Sequence, residues 1–222
     1  MNVSPPSPFL SEAPFESHYT FASGPVLGTG VSGVVRECLD NLTGERLACK
    51  SISKSNLRHP EDIADVAHEI MLMARLPRHP NIVSFRGAYE CSECCHLVME
   101  ICEFGELFDY VRTERFLPEA HAAELFNQIG QAVHVLHSQG KFGILHRDLK
   151  MENILLSRTK VEGGKGEKLQ VKLADFGLAL ELSSARVCGA YAGSPLYMAP
   201  GKPFVFRINI VGYSAHIEPE FL

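Results

Sequence analysis

The chain divides by secondary-structure preference into two unlike halves, and this division restricts its fold more than any other feature. Up to residue 100 the apolar residues fall in short runs rich in Val, Leu and Ile, at 26–28, 33–39 and 46–52, separated by the turn residues Asp40-Asn41 and Gly44. One helix interrupts them. Pro60 suits a first helical position, and Glu61 and Asp62 favour the positive end of the helix dipole. Ile63, Val66, Ile70 and Met73 then recur at helical spacing until Pro77 and Pro80. Two further strands are expected over 82–89 and 96–101. After Gly105 the period becomes helical, first over 106–112. A longer helix follows, opened by Pro118, with the stripe Ala122, Leu125, Phe126, Ile129, Val133 and Leu136 and a stop near Gly140. Residues 157–170, with Gly163, Gly164 and Gly166 among charges, read as a solvated loop between two short strands. Strands first and helices second predict an α+β fold, not alternating βαβ units, with a boundary at 102–105.

Composition excludes several classes of function. Of 222 residues, 45% are hydrophobic and 21% charged, enough apolar material for a packed core. The net charge of −5 provides no basic excess for nucleic acid or an anionic membrane. No apolar run is long enough to span a bilayer. Residues 1–14 are rich in Ser and Pro and lack the cationic start and apolar stretch of a secretory signal, so a flexible lead-in is expected over 1–18. Seven Cys, an odd number, fit reduced thiols in the cytoplasm or nucleus. Cys91-x-x-Cys94-Cys95-His96 contains soft metal-ligand types, but no second pair stands at zinc spacing, and a hairpin loop with free thiols is the expected reading.

The chemistry-bearing motifs come in a fixed order. Gly28-Thr29-Gly30-Val31-Ser32-Gly33 fits GxGxxG, a loop whose backbone can approach phosphates because a Cβ would block it. Val34-Val35 and Cys38-Leu39 follow, so the loop joins two strands instead of opening a helix. Lys50 comes next on a strand, and Glu69 stands mid-helix as its candidate partner. His146-Arg147-Asp148-Leu149-Lys150-Met151-Glu152-Asn153 matches H-R-D-L-x-x-x-N residue for residue, and Asp175-Phe176-Gly177 follows. Together these resemble the eukaryotic-type Ser/Thr protein kinase family, over roughly residues 19–200.

The resemblance implies a bilobal fold: a strand-rich N-lobe over 19–101 and a partial helical C-lobe over 102–200. It implies ATP and Mg²⁺ as cofactors and proteins with Ser/Thr acceptors as substrates. Asp148 would accept or orient the substrate hydroxyl, and Lys150 would stabilise charge on the transferring phosphate. Lys50 would pair with the α- and β-phosphates and with Glu69. Asn153 and Asp175 would ligate Mg²⁺ through oxygen. Residues 28–33 would cover the phosphates, with Leu27 beside them. Val35, Ala48 and Leu155 would sandwich the adenine. Glu100 and Cys102 would bind it through backbone groups behind Met99, and Glu106 would meet the ribose. Glu106 and Glu152 also match acids that select basic residues upstream of the acceptor. Phe85, Met73, His146 and Phe176 match an apolar stack joining the lobes. Gly193-Ser194-Pro195-Leu196-Tyr197-Met198-Ala199-Pro200 matches the end of an activation segment, where Ser194 would contact Asp148 and Lys150. Ser183, Ser184 and Tyr191 are candidate phosphorylation positions, Arg147 a phosphate partner, and an upstream activating kinase an expected partner. Lys150 is of the Ser/Thr type, and the motif set is closest in style to calcium/calmodulin-dependent and related kinases.

The resemblance stops at Pro200. Gly201 replaces the expected Glu, and residues 201–222 read as an unrelated tail, with Phe204, Phe206, Ile208 and Ile210 alternating as in a strand. A splice product or a gene model running into non-coding sequence is the expected origin. Without later C-lobe helices, Leu125, Ile129, Val133 and Leu136 are expected to lose a packing partner, at about 1.5–3 kcal/mol for each side chain. Two functions therefore remain open: a Ser/Thr kinase, or an impaired fragment that binds nucleotide or partners without turnover.

Overall fold

The computed structural model describes residues 10–11, 13–30, 33–141, 143–160, 166–182, 192–197, 207–211 and 214–218. Its first half is one sheet. Strands β1 (Leu10–Ser11), β2 (Tyr19–Gly30), β3 (Gly33–Asp40), β4 (Arg46–Ser53), β5 (Phe85–Glu90) and β6 (Cys94–Glu100) assemble in the order β1-β5-β6-β4-β3-β2. All neighbours are antiparallel except β1, which runs parallel to β5. The β3–β4 turn forms because the Asp40 carboxylate accepts the N–H groups of Leu42 and Thr43, and Gly44 takes φ +71°.

Helix α1 (Phe15–His18) lies between β1 and β2, and α2 (Pro60–Arg75) lies between β4 and β5. Pro60 opens α2, and the Asp62 carboxylate accepts the N–H groups of Arg58 and His59 at 2.8 Å. Of its expected apolar face, Ile70 and Met73 are buried, whereas Ile63 is exposed. Strand β4 lies between β3 and β6, so both of its edges are hydrogen-bonded. Ile52 joins the core shared with α2, and Leu47 and Cys49 face a second cluster around Phe15, Tyr19, Tyr89 and Val98. The flexible lead-in expected over 1–18 is corrected from Leu10 onward. The chain pairs with β5 there, and Phe15 is 2% exposed, stacked on Phe21.

The second half contains α3 (Leu107–Glu114), α4 (Glu119–His137), β7 (Ile144–Leu145), β8 (Ile154–Lys160), β9 (Glu167–Leu173) and β10 (Leu180–Glu181). Strands β8 and β9 form an antiparallel hairpin from Ile154–Leu173 to Lys160–Glu167. Of the loop expected over 157–170, residues 157–160 and 167–170 are strand, because Leu156, Val171 and Leu173 are fully buried and hold the register; 161–165, with Gly163 and Gly164, lie outside the described residues. Helix α4 packs on β9 and β7. Leu125 and Leu136 are buried with Ala132, so these two keep a packing partner, whereas Val133 of the same set is half-buried. Ala122 and Phe126 of the expected stripe are exposed, and Ile129 is half-buried against the core. One core runs through both halves, from Ile52, Ile70, Met73 and Leu97 to Leu125, Leu136, Leu156 and Phe176. In the tail, β11 (Arg207–Val211) pairs antiparallel with β12 (Ser214–Glu218), which places a strand over Ile208 and Ile210; Phe204 and Phe206 lie outside the described residues.

Candidate active site

The site gathers where β2, β3, β4, α2 and the segments before β8 and after β9 meet. Lys50 sits on β4 opposite Val35 and Leu97, and the burial of that central strand buries the lysine as well. A buried ammonium needs a counter-charge. Lys50 Nζ lies 2.8 Å from Glu69 Oε1 of α2 and 3.4 Å from Asp175 Oδ1. Burial pushes the Lys50 pKa down, but the Glu69 and Asp175 carboxylates outweigh it and hold the pKa above the ordinary lysine value. Two further contacts fix α2 against the chain after Asp175. His68 Nε2 is 3.2 Å from Ala179 O, and Arg75 donates to Glu181 at 2.9 Å.

The residues of the 146–153 motif and Ser194 converge on one carboxylate. Asp148 Oδ2 is 2.8 Å from Lys150 Nζ, and Asn153 Nδ2 donates to Asp148 Oδ2 and to its carbonyl at 2.9 Å. Ser194 donates to Asp148 Oδ1 from both its N–H (2.9 Å) and its Oγ (2.7 Å), and Lys150 Nζ is 3.1 Å from Ser194 Oγ. Burial opposes the charge on Asp148, but Lys150, Ser194 and Asn153 prevail and hold its pKa below the usual aspartate value. Arg147 and Asp175 take φ +67° and +59°, left-handed conformations costly for non-glycine residues and typical of functional positions. Arg147 Nε donates to Leu178 O at 2.6 Å. His146 and Phe176 are buried with ring centroids 5.1 Å apart, and Phe176 belongs to the core cluster that contains Met73 and has half-buried Phe85 packed against it.

Around this centre, Gly28, Thr29 and Gly30 pair with Val35, Val34 and Gly33. A Cβ on Gly28 or Gly30 would meet nothing within 4 Å, whereas one on Gly33 (φ +143°) would lie 2.5 Å from Ser51 O. The first two glycines thus keep space open for a ligand, and the third is required by the sheet itself. Ala48 is buried, Val35, Met99 and Leu155 are half-buried, and Leu27 is exposed. Glu100 donates its N–H to Ser84 O, and Cys102 O accepts from Gly105 N–H. Glu106 pairs with Leu155, and burial, with Asp109 and Glu152 nearby, raises its carboxyl pKa. Val31, Ser32, Ser183, Ser184 and Tyr191 lie outside the described residues.

Sequence reasoning missed the residues that brace this region. Lys172, almost fully buried, is held by both Glu100 carboxylate oxygens at 2.9 and 2.8 Å, while Glu100 Oε1 also accepts Ser84 N–H. Buried Asn81 donates to Val171 O and to Gln128 Oε1 at 3.0 Å. A Lys between Val171 and Leu173 reads as a solvated strand residue, so no local signal marks it.

The residues present fit a nucleotide and a hard divalent cation. Asn153 spends its amide nitrogen on Asp148, which leaves Oδ1 as a neutral oxygen ligand, and the Asp175 side chain is 43% exposed with a carboxylate oxygen to offer. The protein kinase domain profile matches residues 21–202. Calcium-dependent protein kinase 24 of Arabidopsis thaliana is 43% identical over 197 residues, covering 88% of this chain and 32% of its own length. Calcium-dependent protein kinase 26 of Oryza sativa subsp. japonica is 42% identical over 190 residues, covering 85% and 34%. Calcium-dependent protein kinase 29 of Arabidopsis thaliana is 43% identical over 174 residues, covering 78% and 31%. The chain spans about a third of the length of these curated relatives. With the motif order, the Lys50–Glu69 pair and the Asp148 cluster all in place, the chain belongs to the protein kinase domain family.

Proposed function

We propose that the chain catalyses transfer of the γ-phosphate of Mg-ATP to Ser and Thr hydroxyls of proteins. The contact that carries the proposal is Lys50 Nζ between Glu69 Oε1 and Asp175 Oδ1, because it sets a fixed cation beside the oxygen ligand on which a magnesium-bound phosphate would rest. Asn153 and Asp175 would hold Mg²⁺, Gly28, Gly30 and Gly33 would lie over the phosphates, and the Glu100 carbonyl and Cys102 N–H would bind the adenine edge. The bound nucleotide and metal supply the electrophilic phosphorus and neutralise its oxygens.

The remaining work belongs to the chain. Asp148 Oδ1 orients an acceptor hydroxyl and takes up its proton once the Ser194 hydroxyl yields that position. Lys150, 2.8 Å from the same carboxylate, stabilises negative charge developing opposite it. Glu106 and Glu152, close enough to influence one another, favour a basic residue upstream of the acceptor. An upstream kinase acting on Ser183, Ser184 or Tyr191 would provide a phosphate for Arg147. Reduced thiols favour the cytoplasm or nucleus, and no helix among the described residues is long and apolar enough to cross a membrane.

One observation favours a second reading, a nucleotide- or partner-binding module without turnover. Both oxygens of Asp148 are already engaged, by Ser194 on one side and by Lys150 and Asn153 on the other. Labelled phosphate transfer to a basic Ser peptide, run beside a Mg-ATP thermal shift, separates the two. The kinase reading predicts transfer that falls by about 10²–10⁴-fold in Asp148→Asn with the thermal shift retained. A wild-type thermal shift without transfer would establish the module, and neither response would overturn both readings.

A further inference from the structure

The β5–β6 turn holds a second group of reactive side chains, which the proposed phosphoryl transfer does not use. Cys94 and His96 stand two apart on β6 and so face the same side of the sheet, while Cys95 between them is buried in the core. The turn brings Cys91 back to them. Cys91 N–H donates to Cys94 O at 2.9 Å, and Cys94 N–H donates to Cys91 Sγ at 3.2 Å. Both sulfurs and a ring nitrogen of His96 lie within 4.8 Å of one another, with Cys91 Sγ 3.9 Å from His96 Nε2. His96 is 6% exposed, and its Nδ1 sits 2.9 Å from the hydroxyl of Ser51, the residue facing it on β4.

We propose that Cys91, Cys94 and His96 form a zinc-binding site at the tip of the β5–β6 hairpin. Tetrahedral zinc, with Zn–S of about 2.3 Å and Zn–N of about 2.0 Å, sets its ligand atoms about 3.5–3.8 Å apart. The cluster reaches that spacing by contracting about 1 Å at its widest. The Cys94 N–H directed at Cys91 Sγ holds that sulfur beside the other two ligand atoms. Ser51 on Nδ1 orients the ring so that Nε2 faces the sulfurs, as the outer partner of a metal-bound histidine does. Two thiolates and an imidazole select zinc over Mg²⁺ and Ca²⁺, which prefer oxygen. Ser92 and Glu93, between the two cysteines, are exposed, so water would complete the fourth position. The missing second Cys pair is no obstacle, because the register of β6 against β4 supplies the third ligand. Metal at this tip would tie the end of β5 to the strand that runs into Met99, Glu100 and Cys102.

The test is titration of the reduced, metal-free full chain with Co²⁺ and then Zn²⁺, in excess Mg²⁺ to occupy oxygen ligands. The site predicts one equivalent of Co²⁺ with thiolate-to-cobalt charge-transfer and tetrahedral visible bands, displaced by Zn²⁺, and a higher Tm with Zn²⁺. Cys91→Ser and Cys94→Ser, at half-buried turn positions, should each remove the charge-transfer band while unfolding stays cooperative. Ser51→Ala should weaken binding about 10–100-fold. Absence of the band in the wild type, its persistence in both Cys variants, or a Cys91–Cys94 disulfide under these reducing conditions would overturn the site and leave an ordinary thiol–imidazole hydrogen bond.

Discussion

Asp148 shows how much of the chemistry rests on a few contacts. Its depressed pKa keeps the carboxylate ionised below the usual aspartate range, so its own contribution to stability is present above the ordinary aspartate value and is lost only as pH falls through the lowered one. Lys150 is the first of the contacts that overcome burial. Lys150→Met should therefore lower kcat and move the acid limb of the pH–rate profile to higher pH, checked by profiles of wild type and variant. An unchanged acid limb would mean that Lys150 does not govern the Asp148 charge. The Lys50–Glu69 pair has the opposite sign. With its pKa raised, Lys50 contributes stability fully below the ordinary lysine value of 10.5 and loses it only in stronger alkali. Glu69→Ala leaves a buried ammonium with only Asp175 beside it and should cost about 3–5 kcal/mol in denaturant unfolding.

At the scale of elements, the α1 segment links sequence to packing most clearly. Phe15 inserts among Tyr19, Phe21, Tyr89 and His96. Phe15→Ala should destabilise the fold by about 3–5 kcal/mol, measured by urea unfolding; an effect below about 1 kcal/mol would show that this segment only rests on the sheet. The sequence hid the contact because four residues between Pro14 and Tyr19 are too few to show a period. The active-site motifs were legible for the opposite reason: each is a local string whose residue types follow from phosphate chemistry. Lys50 and Glu69 were found through the resemblance to the kinase pattern, and the structure brings them to 2.8 Å. Strand positions near the glycine hairpin were equally readable, since Val34-Val35 and Leu47-Ala48 carry their own propensity. The orientation of α4 was not. Ala132 is fully buried while Phe126 is exposed, because the face is chosen by β9 and Gln128, whose side chain bonds Val171 N–H and Leu169 O. The Lys172–Glu100 clamp was unreadable too, being a pairing of residues 72 positions apart.

Over the whole molecule, the two halves share one core and several backbone links. Val83 N–H donates to Leu173 O, Leu173 N–H to Asn81 O, and Phe104 N–H to Leu156 O. These links hold the sheet carrying Lys50 and the glycine hairpin in register with the loops carrying Asp148 and Asp175. The central claim is that residues far apart in sequence make one cleft for a magnesium-bound triphosphate. Calorimetric titration of ATP into the folded chain, with and without Mg²⁺, tests it most directly, alongside Lys50→Met and Asp175→Asn. The account predicts one saturable, Mg²⁺-dependent site in the wild type that weakens sharply in both variants. Equal affinity in all three proteins, or binding indifferent to Mg²⁺, would contradict it.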